Sequence, residues 1–352
     1  MARRGLVYLK EQWAVLFLII LIVVFGFVGR NFFAFKNFSN ILYYSTTYLL
    51  LAAGETFVII SGGIDLSIGF VMGFVAVSSS MIMRDLHAVG YPQAVSMTIG
   101  AVSGLVLGLI PGIINGLLVA RLRVPSFIAT LGTYGVANGV ALNLSKGFPI
   151  TFLPPKVGEI GNGYLAYILP DKAFSFFERP EDIAEGELRY LIGILPTTVI
   201  ITAILLAAFA FILTRTRFGQ HTYAIGGSVD AAARAGINVP AHLIKVYIIS
   251  AFFASCAGVL YVFRSGIGNY TTMSASYELF VIAAVVIGGA SLMGGKGSIG
   301  GTTIGVLILM TLENGLNITG LPTFYRYIAT GLILIIAVVI DQFSPETARG
   351  RT

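Results

Sequence analysis

The feature that most constrains this chain is a succession of apolar runs, each about as long as a lipid bilayer is thick. A run of roughly 20 apolar residues suits a membrane-spanning helix, because lipid offers no partner to backbone polar groups and a helix satisfies them internally. Ten such stretches can be read, at 13–28, 41–60, 66–83, 94–120, 127–144, 192–213, 243–262, 277–289, 299–313 and 325–340. Composition agrees: 56% of residues are hydrophobic and only 11% charged, against about 25% charged in soluble domains. The expected fold is all-α, a polytopic helical membrane protein of about ten transmembrane helices, with one domain over 1–352. A first half covers 13–144, a loop 145–190, and a second half 192–341, which is broken by a polar loop at 215–241.

Charge sets the expected orientation, since short loops rich in Lys and Arg stay on the cytoplasmic side. Ten crossings put Arg3, Arg4, Lys10, Arg121, Arg123, Arg215, Arg217, Arg234, Lys245, Lys296, Arg349 and Arg351 on one side. Outside 145–190, only Arg30, Lys36, Arg84, Arg264 and Arg326 fall on the other. Both termini and the 215–241 loop are therefore expected in the cytoplasm, and 145–190, which mixes acids with bases, outside. The net charge of +6 is spread over the ends of spans, so no nucleic-acid surface is expected. Cys256 stands alone, and His87, His221 and His242 have no ligand spacing, so neither a disulfide nor a metal site is indicated. Residues 1–28 resemble a signal peptide, but 29–39 offer no small-residue cleavage site; a retained first helix is expected.

The 215–239 stretch, RTRFGQHTYAIGGSVDAAARAGINV, is the only substantial polar, non-acidic segment between the two apolar halves. Ser228 is placed to cap a short helix over 228–235. Asp230 would sit in its first turn and Arg234 in its last, matching the helix dipole, and Gly236 would end it. Bounded by Gly226, Gly227 and Gly236, such a helix suits docking to a soluble partner, although an ordinary loop helix has the same local features.

Between spans two and three, Gly62, Gly63, Asp65, Ser67 and Gly69 break the apolar run with a sharp turn. Asp65 is read chiefly as a cap on helix amides in a cytoplasmic connection. Gly104, Gly108, Gly112 and Gly116 recur every fourth residue on one helical face, around Pro111, and Gly69/Gly73, Gly135/Gly139 and Gly301/Gly305 repeat the device. Small residues let helix backbones approach closely in lipid, so these are expected packing seams. Gly295, Gly297 and Gly300 spell a nucleotide-binding GxGxxG, but it joins two membrane spans and Lys296 lacks the P-loop context; no ATP site is expected. Ionisable residues within spans are few, at Glu55, Glu278 and Glu313, whereas ion-coupled carriers place such groups at the midplane. Asn115, Asn138, Thr302 and Asn314, with Glu278, are the candidates for a solute pathway. Uncharged amides and hydroxyls suit a neutral, hydroxyl-rich solute, and they suit interhelical hydrogen bonding equally.

Taken together, VIISGGIDLSIG (58–69), the 215–239 stretch, and YELFVIAAVVIGGASLMGGKGSIGGTTIG (277–305) resemble the permease subunit of bacterial ABC importers of the ribose and simple-sugar class. The resemblance covers nearly the whole chain. It implies a multi-pass permease of the bacterial cytoplasmic (inner) membrane. This works with a second permease copy or paralogue, cytoplasmic ATPase subunits that bind the ATP, and a periplasmic or extracellular sugar-binding protein. It also implies that Arg217, Phe218, Gly219, Gly226, Gly227, Ser228, Asp230, Ala231, Arg234 and Gly236 belong to the loop that docks on the ATPase. The stretch 164–189 looks longer and more acidic than the family pattern, either to shape docking of the binding protein or as a surface hairpin. An ABC permease for nucleosides or branched-chain amino acids is the nearest rival. An ion-coupled transporter or channel would need midplane acids, and a membrane enzyme would need a reactive constellation that the spans do not present.

Overall fold

The computed structural model describes residues 13–170, 173–180, 191–270, 277–320 and isolated positions between 322 and 335. Both ends of the chain, most of the run 325–340 and the acidic segment 181–190 lie outside the described residues. The described chain is mostly helical. In order it forms α1 (Trp13–Val28), α2 (Phe35–Ile60), α3 (Ile68–Ala88), α4 (Gln93–Ala120), α5 (Ser126–Ser145) and α6 (Lys156–Gly161). Three strands follow, β1 (Tyr164–Leu169), β2 (Ala173–Phe176) and β3 (Ile192–Pro196), then α7 (Thr197–Arg215), α8 (Arg217–Gly227), α9 (Val229–Arg234), α10 (Val239–Ser265), α11 (Tyr277–Ile287) and α12 (Ile299–Ile318).

Six of these helices, α3, α4, α5, α7, α10 and α12, are long and apolar enough to cross a membrane. α1 and α11 are apolar but shorter. α2 has 26 residues and carries Ser45, Thr46, Thr47, Glu55 and Thr56 on one helix, all buried. It occupies the centre of the bundle, packed by α10, α12, α7 and α11. A helix shielded on all sides by protein need not be apolar toward lipid, so it tolerates polar groups that find partners among its neighbours. α7 is the opposite case, apolar with only 17% of its span buried, as a lipid-facing helix requires.

The glycine seam of α4 is real and its partner is α10. A Cβ on Gly112 would meet Ala251 and the Tyr247 carbonyl, one on Gly108 would meet Ser255, and one on Gly116 would lie 2.8 Å from the Ile244 Cα. Gly104 abuts Ser79 of α3. α4 runs through Pro111 without ending. Gly301 and Gly305 pack α12 against the Gly288 and Ala284 carbonyls of α11 and its C-terminal turn. Gly135 and Gly139 differ: among the described residues, no neighbouring element comes within 4 Å of a Cβ on either, so the described helices form no seam there.

Three expectations change. The fold is not purely helical, because β1 pairs antiparallel with both β2 and β3 in a sheet of order β2-β1-β3, with Ala166 opposite Phe176 and Ile194. The run YLAYIL is too short to cross a bilayer, and bounded by Gly163 and Pro170 its periodicity does not separate strand from helix. The stretch beginning at Tyr164 is thus a β-hairpin as far as Phe176. The span expected at 192–213 begins instead at Thr197, since Ile192–Pro196 is spent on β3 and Pro196 marks the extended-to-helix change. The 215–239 loop holds two helices, α8 as well as the expected short one. Because α7 leads from the sheet to α8, these features sit at opposite ends of the bundle, here the sheet end and the loop end.

Candidate functional site

The three stretches singled out in the sequence meet at the loop end. α8 is capped by Thr216, whose hydroxyl accepts from the Gly219 N–H, and it buries Gly219, Thr222 and Ile225. Gly219 abuts the Leu213 carbonyl, which leaves no room for a side chain where α7 turns into α8. Phe218 lies between Phe57 of α2 (6.2 Å) and His242 of α10 (4.4 Å), and the Thr222 hydroxyl meets His242 Nε2 at 2.8 Å. The amphipathic face of α8 is therefore seated on the ends of α2 and α10.

Its C-terminus forms a junction of backbone against backbone. Gly226 is pressed on the Ile60 carbonyl at the end of α2, so that any Cβ there would overlap the oxygen. The same carbonyl accepts from the Gly295 N–H at 2.8 Å. A Cβ built on Gly294 (φ +84°) would lie 3.0 Å from the Gly226 Cα and 3.1 Å from the Gly62 Cα. The Tyr223 hydroxyl donates to the Gly297 carbonyl at 2.7 Å. Burial pushes the Tyr223 phenol above its ordinary range, so it remains a neutral donor. Gly294, Gly295 and Gly297 all have positive φ, which the 288–298 turn needs and which only glycine adopts freely. Gly295 and Gly297, two of the three glycines in the GxGxxG spelling, thus join Gly294 in a clasp between α2, α8 and the turn that leads into α12.

Beyond the junction, α9 is nearly free. Ser228 caps it, accepting from the Ala231 N–H at 3.2 Å, with Asp230 in the first turn, Arg234 in the last and Gly236 (φ +83°) after it. Only Ala232 is buried, against Ile225 and Val239; Gly227, Ser228, Asp230, Ala231, Arg234, Gly236 and also Arg217 are exposed. One short helix, anchored on one side and bare on the others, presents both charges and an exposed Val229 outward.

From the junction the 61–67 segment does not stay at the loop end but folds back among the helices, which corrects the expected surface connection. Asp65 is buried; its Oδ1 accepts from the Ser67 N–H (2.9 Å) and hydroxyl (2.5 Å), and its Oδ2 from the Ser250 hydroxyl (2.9 Å). The Ser67 hydroxyl in turn accepts from Asn115 Nδ2 (2.9 Å), whose Oδ1 accepts from Thr133 (2.5 Å). The Asp65 N–H donates to Glu55 Oε1 at 3.1 Å, and Leu66 and Ile64 donate to the Thr130 and Ser126 hydroxyls. The chain of donors from Thr133 through Asn115 and Ser67, together with Ser250, ends on the Asp65 carboxylate, and the turn ties α2, α4, α5 and α10 to the start of α3. Irregular backbone at membrane depth requires this, because its N–H groups must find protein partners. Asp65 does satisfy an amide at a helix N-terminus, that of Ser67, the N-cap residue of α3, but it does so inside the bundle and not in a surface connection.

The pathway candidates separate. Asn115 belongs to this network, and Thr302 bonds Thr56 at 2.7 Å, joining α12 to α2. Glu278 lies beside Gly69, at a distance of 3.1 Å from where a Cβ would be. Asn138 is half-buried on α5, and Asn314 lines a cavity near the sheet end. Sequence reasoning missed Ser250, Thr133 and Thr130, since a lone hydroxyl in an apolar helix carries no local signal, and it missed Tyr223, whose partner Gly297 lies 74 positions away. Among the described residues, no three of His, Cys, Asp and Glu gather as a metal site.

The pattern of the family described as "Branched-chain amino acid transport system / permease component" matches residues 37–338. The chain is 36% identical over 339 residues to the ribose import permease protein RbsC of Escherichia coli, covering 95% of this chain and 94% of the relative. It is 37% identical over 325 residues to that of Bacillus subtilis, covering 92% and 90%. It is also 34% identical over 340 residues to the xylose transport system permease protein XylH of Haemophilus influenzae, covering 87% and 88%. No solved structure matches.

Proposed function

The chain belongs to the branched-chain amino acid transport system / permease component family, and on that premise we propose that it is the membrane permease subunit of an ATP-driven importer of a simple sugar. Its relatives named for ribose and xylose import, matched over nearly their full length, support a monosaccharide over nucleosides or branched-chain amino acids. The protein is a multi-pass protein of the bacterial inner membrane. It crosses the bilayer ten times with both termini inside, an orientation that the basic residues at the loop end support. A separate cytoplasmic ATPase supplies the energy, an external binding protein delivers the sugar at the sheet end, and a second permease, identical or related, completes the transporter.

One observation carries this reading: a charged, capped helix, α9, bare on its outer sides, is bolted through Gly226 to the backbone of the central helix α2. The ATPase docks on α9 and α8. When it moves, the glycine clasp passes displacement to α2, α11 and α12 as a rigid step, because main-chain contacts this close have no side chain to absorb it. Two states of the bundle then alternate, and the sugar shifts them only by binding one better than the other.

The test is reconstitution. Liposomes holding the permease with its ATPase and binding protein should accumulate radiolabelled pentose only with ATP inside the compartment that faces the loop end. Accumulation against a gradient by the purified chain alone would refute the proposal.

A further inference from the structure

A cavity of about 270 Å³ opens near the sheet end between α2, α10, α11 and α12. It is lined by four tyrosines, Tyr44, Tyr48, Tyr261 and Tyr277, and by Arg264, Glu313, Asn314 and Asn317. Its size falls just under the range of about 300–1,000 Å³ typical of drug-sized ligands, and so fits a smaller molecule.

The walls are half apolar. The Tyr48 ring packs against Tyr277 at 5.0 Å and Phe280 at 4.5 Å, which fixes a flat aromatic side to the cavity. Polar groups converge opposite. Asn314 Oδ1 is buried and, among the described residues, accepts from none. An acceptor left so costs about 1–3 kcal/mol, which an incoming hydroxyl relieves. The charge of the lining argues against an anion. Arg264 lies over the Tyr43 and Tyr44 rings at 4.4 and 5.0 Å, and it donates to the Tyr43 carbonyl at 3.2 Å. Its guanidinium is thus already stacked and hydrogen-bonded, and Glu313 in the same wall offsets its charge. Flat aromatic faces, a waiting acceptor and no net charge fit a ring with an apolar side and an edge of hydroxyls.

We propose that this cavity is a solute station within the permease itself, taking a neutral, hydroxyl-rich molecule of monosaccharide size. It rests on the importer reading only for the direction in which the solute then moves. The station lies beside the start of α11, whose Glu278 touches Gly69 at the end of the re-entrant turn. Occupancy is therefore adjacent to the Asp65 network that ties the bundle together.

The experiment is saturation-transfer NMR on the full chain in nanodiscs of phosphatidylethanolamine and phosphatidylglycerol, with D-ribose or D-xylose at millimolar concentration. The wild type should give pentose signals, and Asn314→Leu should weaken apparent binding roughly tenfold through loss of one hydrogen bond. Met310→Trp, which fills the cavity without removing a polar group, should abolish the signal, and it serves if the first variant fails to fold. No pentose signal from the wild type, equal signals from folded variants, or preference for ribose 5-phosphate or glycerophosphate would each overturn the station. Failure of the assembled transporter to import pentose would overturn the importer reading instead, so the two are separable.

Discussion

Replacing Gly226 with alanine should loosen the α8–α9 unit from the bundle. The added Cβ would overlap the Ile60 carbonyl oxygen and would lie 2.5 Å from the Gly295 nitrogen and 2.9 Å from the Ile60 carbonyl carbon. All three atoms are main chain, so no flexible side chain can yield, and overpacking of this kind costs about 1–3 kcal/mol. Moving the backbones apart also breaks the hydrogen bond from Gly295 to Ile60, a net loss of about 0.5–1.5 kcal/mol. Together these amount to about 1.5–4.5 kcal/mol, which shifts the docked-to-undocked ratio by roughly 10- to 2,000-fold. Hydrogen exchange of the α8 and α9 amides should rise accordingly, and sugar imported per ATP hydrolysed should fall in the reconstituted transporter. Gly227→Ala is the control, because a Cβ there meets no atom within 4 Å and its φ is not positive. A bulkier residue at Gly227 would act only through the docked ATPase. If Gly226→Ala exchanges and couples like the wild type, the backbone clasp is not what joins the loop to the bundle.

Other outcomes follow from the same geometry. Glu55→Gln keeps an acceptor for the Asp65 N–H and should hold the melting temperature in detergent. Glu55→Leu strands that N–H in the interior and should destabilise by about 1–3 kcal/mol. Gly112→Val drives a side chain into Ala251 and the Tyr247 carbonyl and should prevent stable accumulation of the protein. Gly135→Val, with open space around it, should melt as the wild type does. Ser228→Ala removes the cap of α9 and should cost that helix about 0.5–2 kcal/mol, seen as faster exchange confined to 229–234. Asp65→Ala leaves the Ser67 and Ser250 hydroxyls without their shared acceptor. Because the network is buried and connected, the loss of melting temperature should exceed that of Thr133→Val at its far end.

The sequence by itself determined the class of environment and most of the helices, because apolar runs of bilayer length have only one common solution in lipid. It also determined α9 to the residue, since Ser228, Asp230, Arg234 and Gly236 act through contacts within one or two turns. The α4 seam was legible for a related reason: glycine every fourth residue states that something comes close, though not that α10 is what comes. What only the tertiary structure decided is everything that depends on distant partners. Asp65 reads as a surface cap until Ser250, 185 positions away, and Asn115 draw its turn into the bundle. Gly135 and Gly139 have the same spacing as a true seam yet meet no neighbour among the described residues, because spacing records a helix face and not its neighbour. The 164–176 hairpin was invisible as strands, since short apolar runs take their conformation from whichever edge they pair with. The glycines at 294–297 made chemical sense as a clasp only once Ile60 and Gly226 were found against them.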